Sequence, residues 1–159
     1  MSTSTKRVPH GQSKYTQGNF YSEKNDSTFP YKSSYELAYL EKLEKSNKVL
    51  KYLYEPFEVG YVDYYNKNRM YRPDFMVLHE DGSILITEIK PEAMLEDFDV
   101  QAKAKAAEVF IKEKYKGLDI KYKFITEKNL FKDIGDYAKF IKRIKEKWSI
   151  QIRIMGLTR

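Results

Sequence analysis

The sequence predicts an α/β protein: one mixed sheet flanked by helices. Three observations lead there. An amphipathic helix signal begins at Ser33, after a polar N-terminal stretch. Four runs rich in Val, Ile, Leu, Tyr and Phe follow between residues 49 and 90. A helix, a strand and a second amphipathic helix occupy most of the remainder. The length, 159 residues, suits one domain, and a chain of ~150 residues buries roughly 70% of its unfolded surface.

Taken in order, residues 1–30 are rich in Ser, Thr, Asn, Gln and Gly. They are expected to form a flexible, extended or disordered arm ahead of a single domain over 31–159. The arm's Tyr15, Phe20, Tyr21 and Phe29 are expected to pack on the domain surface, with stacking on bases as the alternative. Ser33 caps the first helix, and Glu36, three residues on, completes a capping box. Leu37, Leu40 and Leu43 follow at helical spacing, and the helix should end near Lys48. Val49 to Tyr54 and Phe57 to Tyr65 read as strands broken at Glu55-Pro56. Asn66-Lys67-Asn68 is a turn. Tyr71 to His79 and Ser83 to Lys90 are strands around Glu80-Asp81-Gly82, and Pro91 stops the second. A helix from about Asp97 to Lys116 ends at Gly117. Ile120 to Thr126 is a further strand, and residues 128–133 form a short helical turn. Asp136 to Trp148 is an amphipathic helix, and Ile150 to Met155 a last strand.

Composition narrows the chemistry. There is no cysteine, which excludes disulfides and thiolate metal sites. With His10 and His79 the only histidines, a His-rich zinc site is not expected. Oxygen ligands and hard cations such as Mg²⁺ remain. No apolar run approaches the ~20 residues of a membrane span, and the polar N-terminus has no signal-peptide core, so a cytoplasmic protein is expected. Charge is unevenly spread. Residues 1–32 hold five basic and two acidic side chains, residues 33–99 eight and fourteen, and residues 100–159 sixteen and seven. A strongly basic last third attracts phosphate backbones, or simply forms a solvated lysine-rich face.

The most informative stretch is Tyr71-Arg72-Pro73-Asp74-Phe75, with Glu88-Ile89-Lys90-Pro91 on the next strand. A two-residue loop at Asp81-Gly82 would put Asp74 opposite Ile89 and split the carboxylates between faces. A three-residue loop Glu80-Asp81-Gly82, with glycine in the left-handed position, pairs His79 with Ser83 instead. Asp74 then lies opposite Glu88, Lys90 shares their face, and Phe75, Val77, Leu85 and Ile89 gather on the other. The second register is expected, because it keeps the apolar set together. Two carboxylates with Cβ atoms ~5 Å apart repel when both are ionised. Lys90 offsets one charge, and a divalent cation would satisfy both.

Proline-aspartate followed by Glu-x-Lys on the next strand resembles the PD-(D/E)XK nuclease superfamily. That implies a restriction-endonuclease-like mixed sheet and a metal-dependent endonuclease. The fuller pattern is Tyr15-x-Gln17-Gly18-x-Phe20, Ser33-Ser34-x-Glu36, Glu55-Pro56-Phe57-x-Val59-x-Tyr61, Tyr71-x-Pro73-Asp74-Phe75 and Glu88-Ile89-Lys90-Pro91. It is similar to the head-completion nucleases of tailed phages over roughly residues 15–130. Its last four parts are also similar to the TnsA transposon endonuclease. TnsA-type proteins carry a second domain for which this length leaves no room, which points to a compact phage-type nuclease or a single-domain homing-type enzyme. The resemblance implies that Asp74 and Glu88 ligate Mg²⁺ (or Mn²⁺), with the Ile89 carbonyl as a third ligand and Glu36 completing or bridging the site. It implies that Lys90 orients or deprotonates the attacking water, or stabilises the charge on the phosphoryl group. Gln101, Lys103 and Lys105 on the following helix, with Arg69 and Arg72 beside the motif, are expected to contact DNA. The implied partners are DNA, phage head or neck proteins, and a second copy in a homodimer, with a host-cytoplasmic or virion-associated location. A structural phage connector and a non-catalytic DNA-binding module are the rivals.

Overall fold

In the computed structural model, residues 16–156 are described. Strands β1 (Gly18–Ser22) and β2 (Ser27–Tyr31) form an antiparallel hairpin, followed by helix α1 (Ser34–Lys45). Strands β3 (Val49–Tyr54), β4 (Val59–Val62), β5 (Asn68–Tyr71), β6 (Phe75–His79) and β7 (Ile84–Ile89) come next. A 3-10 turn (Glu92–Met94) leads to α2 (Phe98–Lys114), β8 (Ile120–Ile125), α3 (Glu127–Leu130) and α4 (Ile134–Ile154). The central sheet has the order β3-β6-β7-β8. Its first three strands are antiparallel and β8 runs parallel to β7, so the sheet is mixed, as the sequence predicts. A parallel neighbour requires a crossover, and α2 supplies it.

The two faces bury different residues. Phe75 and Val77 of β6 and Ile89 of β7 share one core with Leu37, Leu40 and Leu43 of α1 and Phe140 and Ile144 of α4. By the strand alternation, Ile86 points to the other face, where it is fully buried. Helix α2 packs along β8 and β4 and buries Val100, Ala104, Ala107 and Ile111. Helix starts follow the side chains that can satisfy free N–H groups. Ser33 accepts from the Glu36 amide, Asp97 from Asp99 and Val100, Thr126 from Lys128, and Asp133 from Asp136. Glu36 does not close the expected capping box: its carboxylate takes the Lys32 amide at 3.1 Å, one residue before the cap.

Several expectations are corrected. Residues 18–31 are a hairpin, not an extended arm. Ser22 is fully buried, Phe29 is buried against Tyr52 (ring centroids 5.4 Å apart), and Asp26 turns the chain at φ 47°. The polar composition misleads because the polar groups have partners on α1. Tyr15 lies outside the described residues. The run Tyr71–His79 is not one strand. It breaks at residues 72–74, where Pro73 brings no N–H to a ladder, and Tyr71 belongs to a separate ribbon of β4 and β5. The first helix stops at Lys45, because Ser46 turns extended at ψ 124°. The last strand, Ile150–Met155, is absent: α4 continues to Ile154. Alternating Ile150, Ile152 and Ile154 suggested a strand, but nothing between Trp148 and Ile154 stops a helix. The first break is Gly156 at φ 71°.

Candidate active site

The β6–β7 turn sets the geometry. The His79 amide donates to the Ser83 carbonyl at 2.9 Å, and Gly82 takes φ 88°. Phe75 then pairs with Thr87 and Leu78 with Ile84. This is the three-residue-loop register, and one step beyond Phe75 and Thr87 it sets Asp74 against Glu88. Asp74 sits at the mouth of β6 and receives the Ile89 amide on Oδ2 at 2.7 Å. Its own carbonyl accepts the Glu55 amide at 2.9 Å, which anchors the residue to the end of β3.

Glu88 is buried at 7% exposure. Its Oε1 accepts the Tyr71 hydroxyl at 2.7 Å, and that hydroxyl also lies 2.8 Å from the Tyr122 hydroxyl. Lys90 Nζ stands 3.7 Å from Glu88 Oε2. From α2, the Lys103 ammonium lies over the rings of Tyr61 and Tyr71, at 5.6 and 5.8 Å from their centroids.

The electrostatics follow from this packing. Burial pushes the Asp74 carboxyl well above the usual range, and the charges of Glu88 and Glu36 push it further. The Ile89 amide and Lys90 pull the other way. Burial also raises Glu88, against the Tyr71 hydroxyl and the charges of Lys90 and Lys103. Tyr71 and Tyr122 are both raised, chiefly by burial, so they remain protonated donors. Two such carboxyls side by side, with oxygen donors only, suit a hard divalent cation, which would favour the ionised form of both. Among the described residues, no three Asp, Glu or His side chains converge on one point. Asp74 and Glu88 are the two carboxyls that the strand register brings together. Mg²⁺ fits such a donor set, because it usually keeps several waters.

The remaining expected residues separate. Glu36 is near enough to raise Asp74 but uses its carboxylate on the Lys32 amide. Ile89 is buried and pairs with Ile125, next to Asp74 through its amide. Lys103 faces the site. Lys105 is exposed on α2 beside Val59–Val62 of β4. Gln101 turns back to donate to the Leu95 carbonyl and is occupied in holding the start of α2. Arg69 is paired with Asp63 at 2.8 Å, and Arg72 with Glu58 at 2.9 Å and Glu55 at 3.6 Å. Sequence reasoning missed Tyr71 and Tyr122 as part of the site. Tyr71 was within sight, three residues before Asp74. Tyr122 has no local signal, because only the parallel register, which sets it beside Ile86, brings it there.

Two comparisons bear on this geometry. The profile of the family described as TnsA-like endonuclease N terminal matches residues 46–127. That span runs from the end of α1 to the first residue of α3, so it includes Asp74, Glu88, Lys90 and Lys103 and leaves out Glu36. No curated protein matches the chain. With just over half of the 159 residues matched, the chain belongs to the TnsA-like endonuclease N-terminal family.

Proposed function

We propose that the protein is a metal-dependent DNA endonuclease that hydrolyses phosphodiester bonds. The observation that carries this reading is the pair of half-buried Asp74 and buried Glu88, set opposite each other by the β6–β7 register, with Lys90 on the Glu88 face. Asp74 and Glu88 would hold Mg²⁺ or Mn²⁺, with the Ile89 carbonyl as a further ligand. A divalent cation in such a site supplies Lewis acidity toward the phosphoryl oxygen and an acidified water. The chain's own groups do the positioning. The Ile89 amide fixes one oxygen of Asp74, and the Tyr71 hydroxyl fixes one of Glu88. Lys90, only 22% exposed, holds its ammonium beside Glu88, where it orients the attacking water or receives developing phosphoryl charge. Glu36 acts at a distance, through its field on Asp74.

The finer reading is a head-completion nuclease acting in phage DNA packaging. It rests on Tyr15-x-Gln17-Gly18-x-Phe20, the part of the pattern not shared with the TnsA type, which lies outside the matched span. The family match itself favours a second reading, a transposon-type endonuclease.

The test is plasmid nicking in Mg²⁺ or Mn²⁺ by the wild type, Asp74→Ala and Lys90→Ala. The wild type should nick, and each variant should lose about a hundredfold or more in rate, the scale of several kcal/mol of lost transition-state stabilisation. Equal activity in all three would rule out the site.

A further inference from the structure

The β4–β5 ribbon ends in an aromatic cluster that the fold leaves exposed. Tyr64, Tyr65 and Phe98 are 67%, 75% and 55% exposed. Their rings meet edge to face: Tyr64 and Tyr65 at 5.3 Å and 88°, Tyr64 and Phe98 at 5.6 Å and 81°. The edge-to-face contacts hold the rings together, and the contiguous apolar surface they leave exposed suits a further partner.

The mounting of these rings is rigid. Asp63, buried at 5% exposure, accepts the Tyr65 and Lys67 amides on Oδ1, both at 2.9 Å, and Arg69 Nε on Oδ2 at 2.8 Å. Its backbone closes the same loop: the Asp63 amide donates to Lys67 and its carbonyl accepts from Asn66, both at 2.9 Å. Asn66 takes φ 62° at the turn. The Tyr64 amide donates to Asp99 at 2.8 Å, which pins the tip to the start of α2. A loop tied in this way lowers the backbone ordering cost of binding at its rings.

The position of the tip identifies the occupant. The same ribbon carries Tyr71, whose hydroxyl holds Glu88, and Tyr61, which shares the Lys103 ammonium with Tyr71. At ~3.3 Å per residue, the tip lies roughly 10–15 Å along the ribbon from Tyr71. That is a few nucleotides from the carboxylate pair. Lys67 is exposed beside the rings and suits a phosphate backbone, while Arg69 is held on Asp63. Bases inside a duplex are already stacked and offer no free face, whereas an unpaired base does.

We infer that Tyr64 and Tyr65, backed by Phe98, form a stacking platform for unpaired bases of the DNA strand entering the Asp74–Glu88 site, so that the enzyme favours forked or single-stranded junctions over closed duplex. The inference deepens the nuclease reading and rests on it for the identity of the ligand.

The test is fluorescence anisotropy of the full chain in EDTA, with a labelled single strand, a forked duplex and a closed hairpin. Wild type, Y64A/Y65A, Y64F/Y65F, Y65A and D74A are compared. Y64A/Y65A should weaken binding of the fork and the single strand by about ten- to a hundredfold, the scale of one or two lost base stacks. It should change the closed hairpin by less than about threefold. Y65A alone should show part of the loss, and it guards against a folding defect in the double variant. Y64F/Y65F keeps the rings and should bind like the wild type. A fluorescent 2-aminopurine in the unpaired arm should be quenched by the wild type and not by Y64A/Y65A. Fork binding by both Y64A/Y65A and Y65A within about twofold of wild type would overturn the platform, and would leave the rings to a protein partner. The readout does not involve cleavage. If nicking fails but fork binding still collapses in Y64A/Y65A, the nuclease reading falls and the platform stands. If D74A loses nicking and Y64A/Y65A still binds the fork normally, the reverse holds.

Discussion

At the scale of single residues, the site depends on how one buried and one half-buried carboxyl are held. Tyr71 is the residue to change first. Its hydroxyl gives Glu88 a 2.7 Å hydrogen bond and takes part in the Tyr122 contact. Tyr71→Phe keeps the ring under Lys103 and removes the hydroxyl from both contacts. A hydrogen bond to a charged acceptor contributes about 1.5–3 kcal/mol, so the nicking rate should fall about tenfold or more, and the metal concentration for half-maximal rate should rise. A pure stability role for Tyr71 would lower the melting temperature and leave metal dependence unchanged. The pair also makes a pH prediction for the metal-free protein. Both folded carboxyls are raised, by burial first. The folded chain thus keeps protons that the unfolded chain releases near pH 4. The stability contributed by protonated Asp74 is fully present below that value and is lost as pH rises through its folded value. Glu44 and Asp63, shifted downward, act in the opposite sense, so the useful quantity is a difference. In EDTA, the melting temperature of Asp74→Asn minus that of the wild type should grow from pH 5 to pH 8. Adding Mg²⁺ at the upper end should stabilise the wild type and not the variant. A difference independent of pH would contradict the raised Asp74. Much of this was legible in sequence. Asp74, Glu88 and Lys90 follow from the turn chemistry of Glu80-Asp81-Gly82, because one residue more or less in that loop reverses the face. The Tyr122 contact was not legible, since it depends on which strand α2 returns to the sheet.

At the scale of elements, the N-terminal hairpin shows why composition alone misjudged part of the chain. Several of its polar groups converge on one acceptor on α1. Glu44 accepts the Ser22 hydroxyl at 2.7 Å, the Tyr52 hydroxyl at 2.7 Å, and the amides of Glu23 and Lys24 at 3.0 and 3.2 Å. Burial alone would raise the Glu44 carboxyl, but these donors outweigh it and hold it below the usual range. Lys24 adds bonds to the Ser46 and Val49 carbonyls, where α1 gives way to β3. No local pattern in residues 18–31 announces an acceptor some twenty residues further on. The helix starts at Ser33 and Asp97, by contrast, were readable, because each acts within three residues of itself; the turn expected at 128–133 is α3 at Glu127–Leu130, and the helix expected from Asp136 begins at Ile134. Glu44→Ala would leave the buried hydroxyls of Ser22 and Tyr52 without their carboxylate. Unfolding in urea should show a loss of about 2–3 kcal/mol, with the hairpin amides exchanging fastest with solvent. A change under about 0.5 kcal/mol would mean that the hairpin is not coupled to α1.

At the scale of the whole molecule, the basic excess of residues 100–159 does not form one surface. Helix α4 packs through Phe140 and Ile144 on the face that holds Phe75 and Val77. Glu88 and Lys90 alternate to the other face, where α2 brings Lys103 over Tyr61 and Tyr71. Lys139 and Lys142 are exposed on α4, and Arg143 is committed to Glu41 at 2.7 Å. A duplex whose scissile phosphate reaches Asp74 and Glu88 therefore meets α2 and the β4–β5 ribbon, and α4 lies on the far layer of the sheet. Counterion release turns this geometry into a measurable slope. The logarithm of the binding constant falls with the logarithm of salt by about 0.9 for each phosphate neutralised. Lys103→Ala/Lys105→Ala should flatten that slope by about 1–2 and weaken binding at low salt. Lys139→Ala/Lys142→Ala removes the same formal charge and should change the slope by less than about 0.5, because α4 packs on the face of the sheet opposite Glu88. Salt titrations of the two double variants with one duplex separate the effects of position and net charge. Equal slopes would mean that the basic last third attracts DNA only through its overall charge, and that α2 has no special place on the substrate.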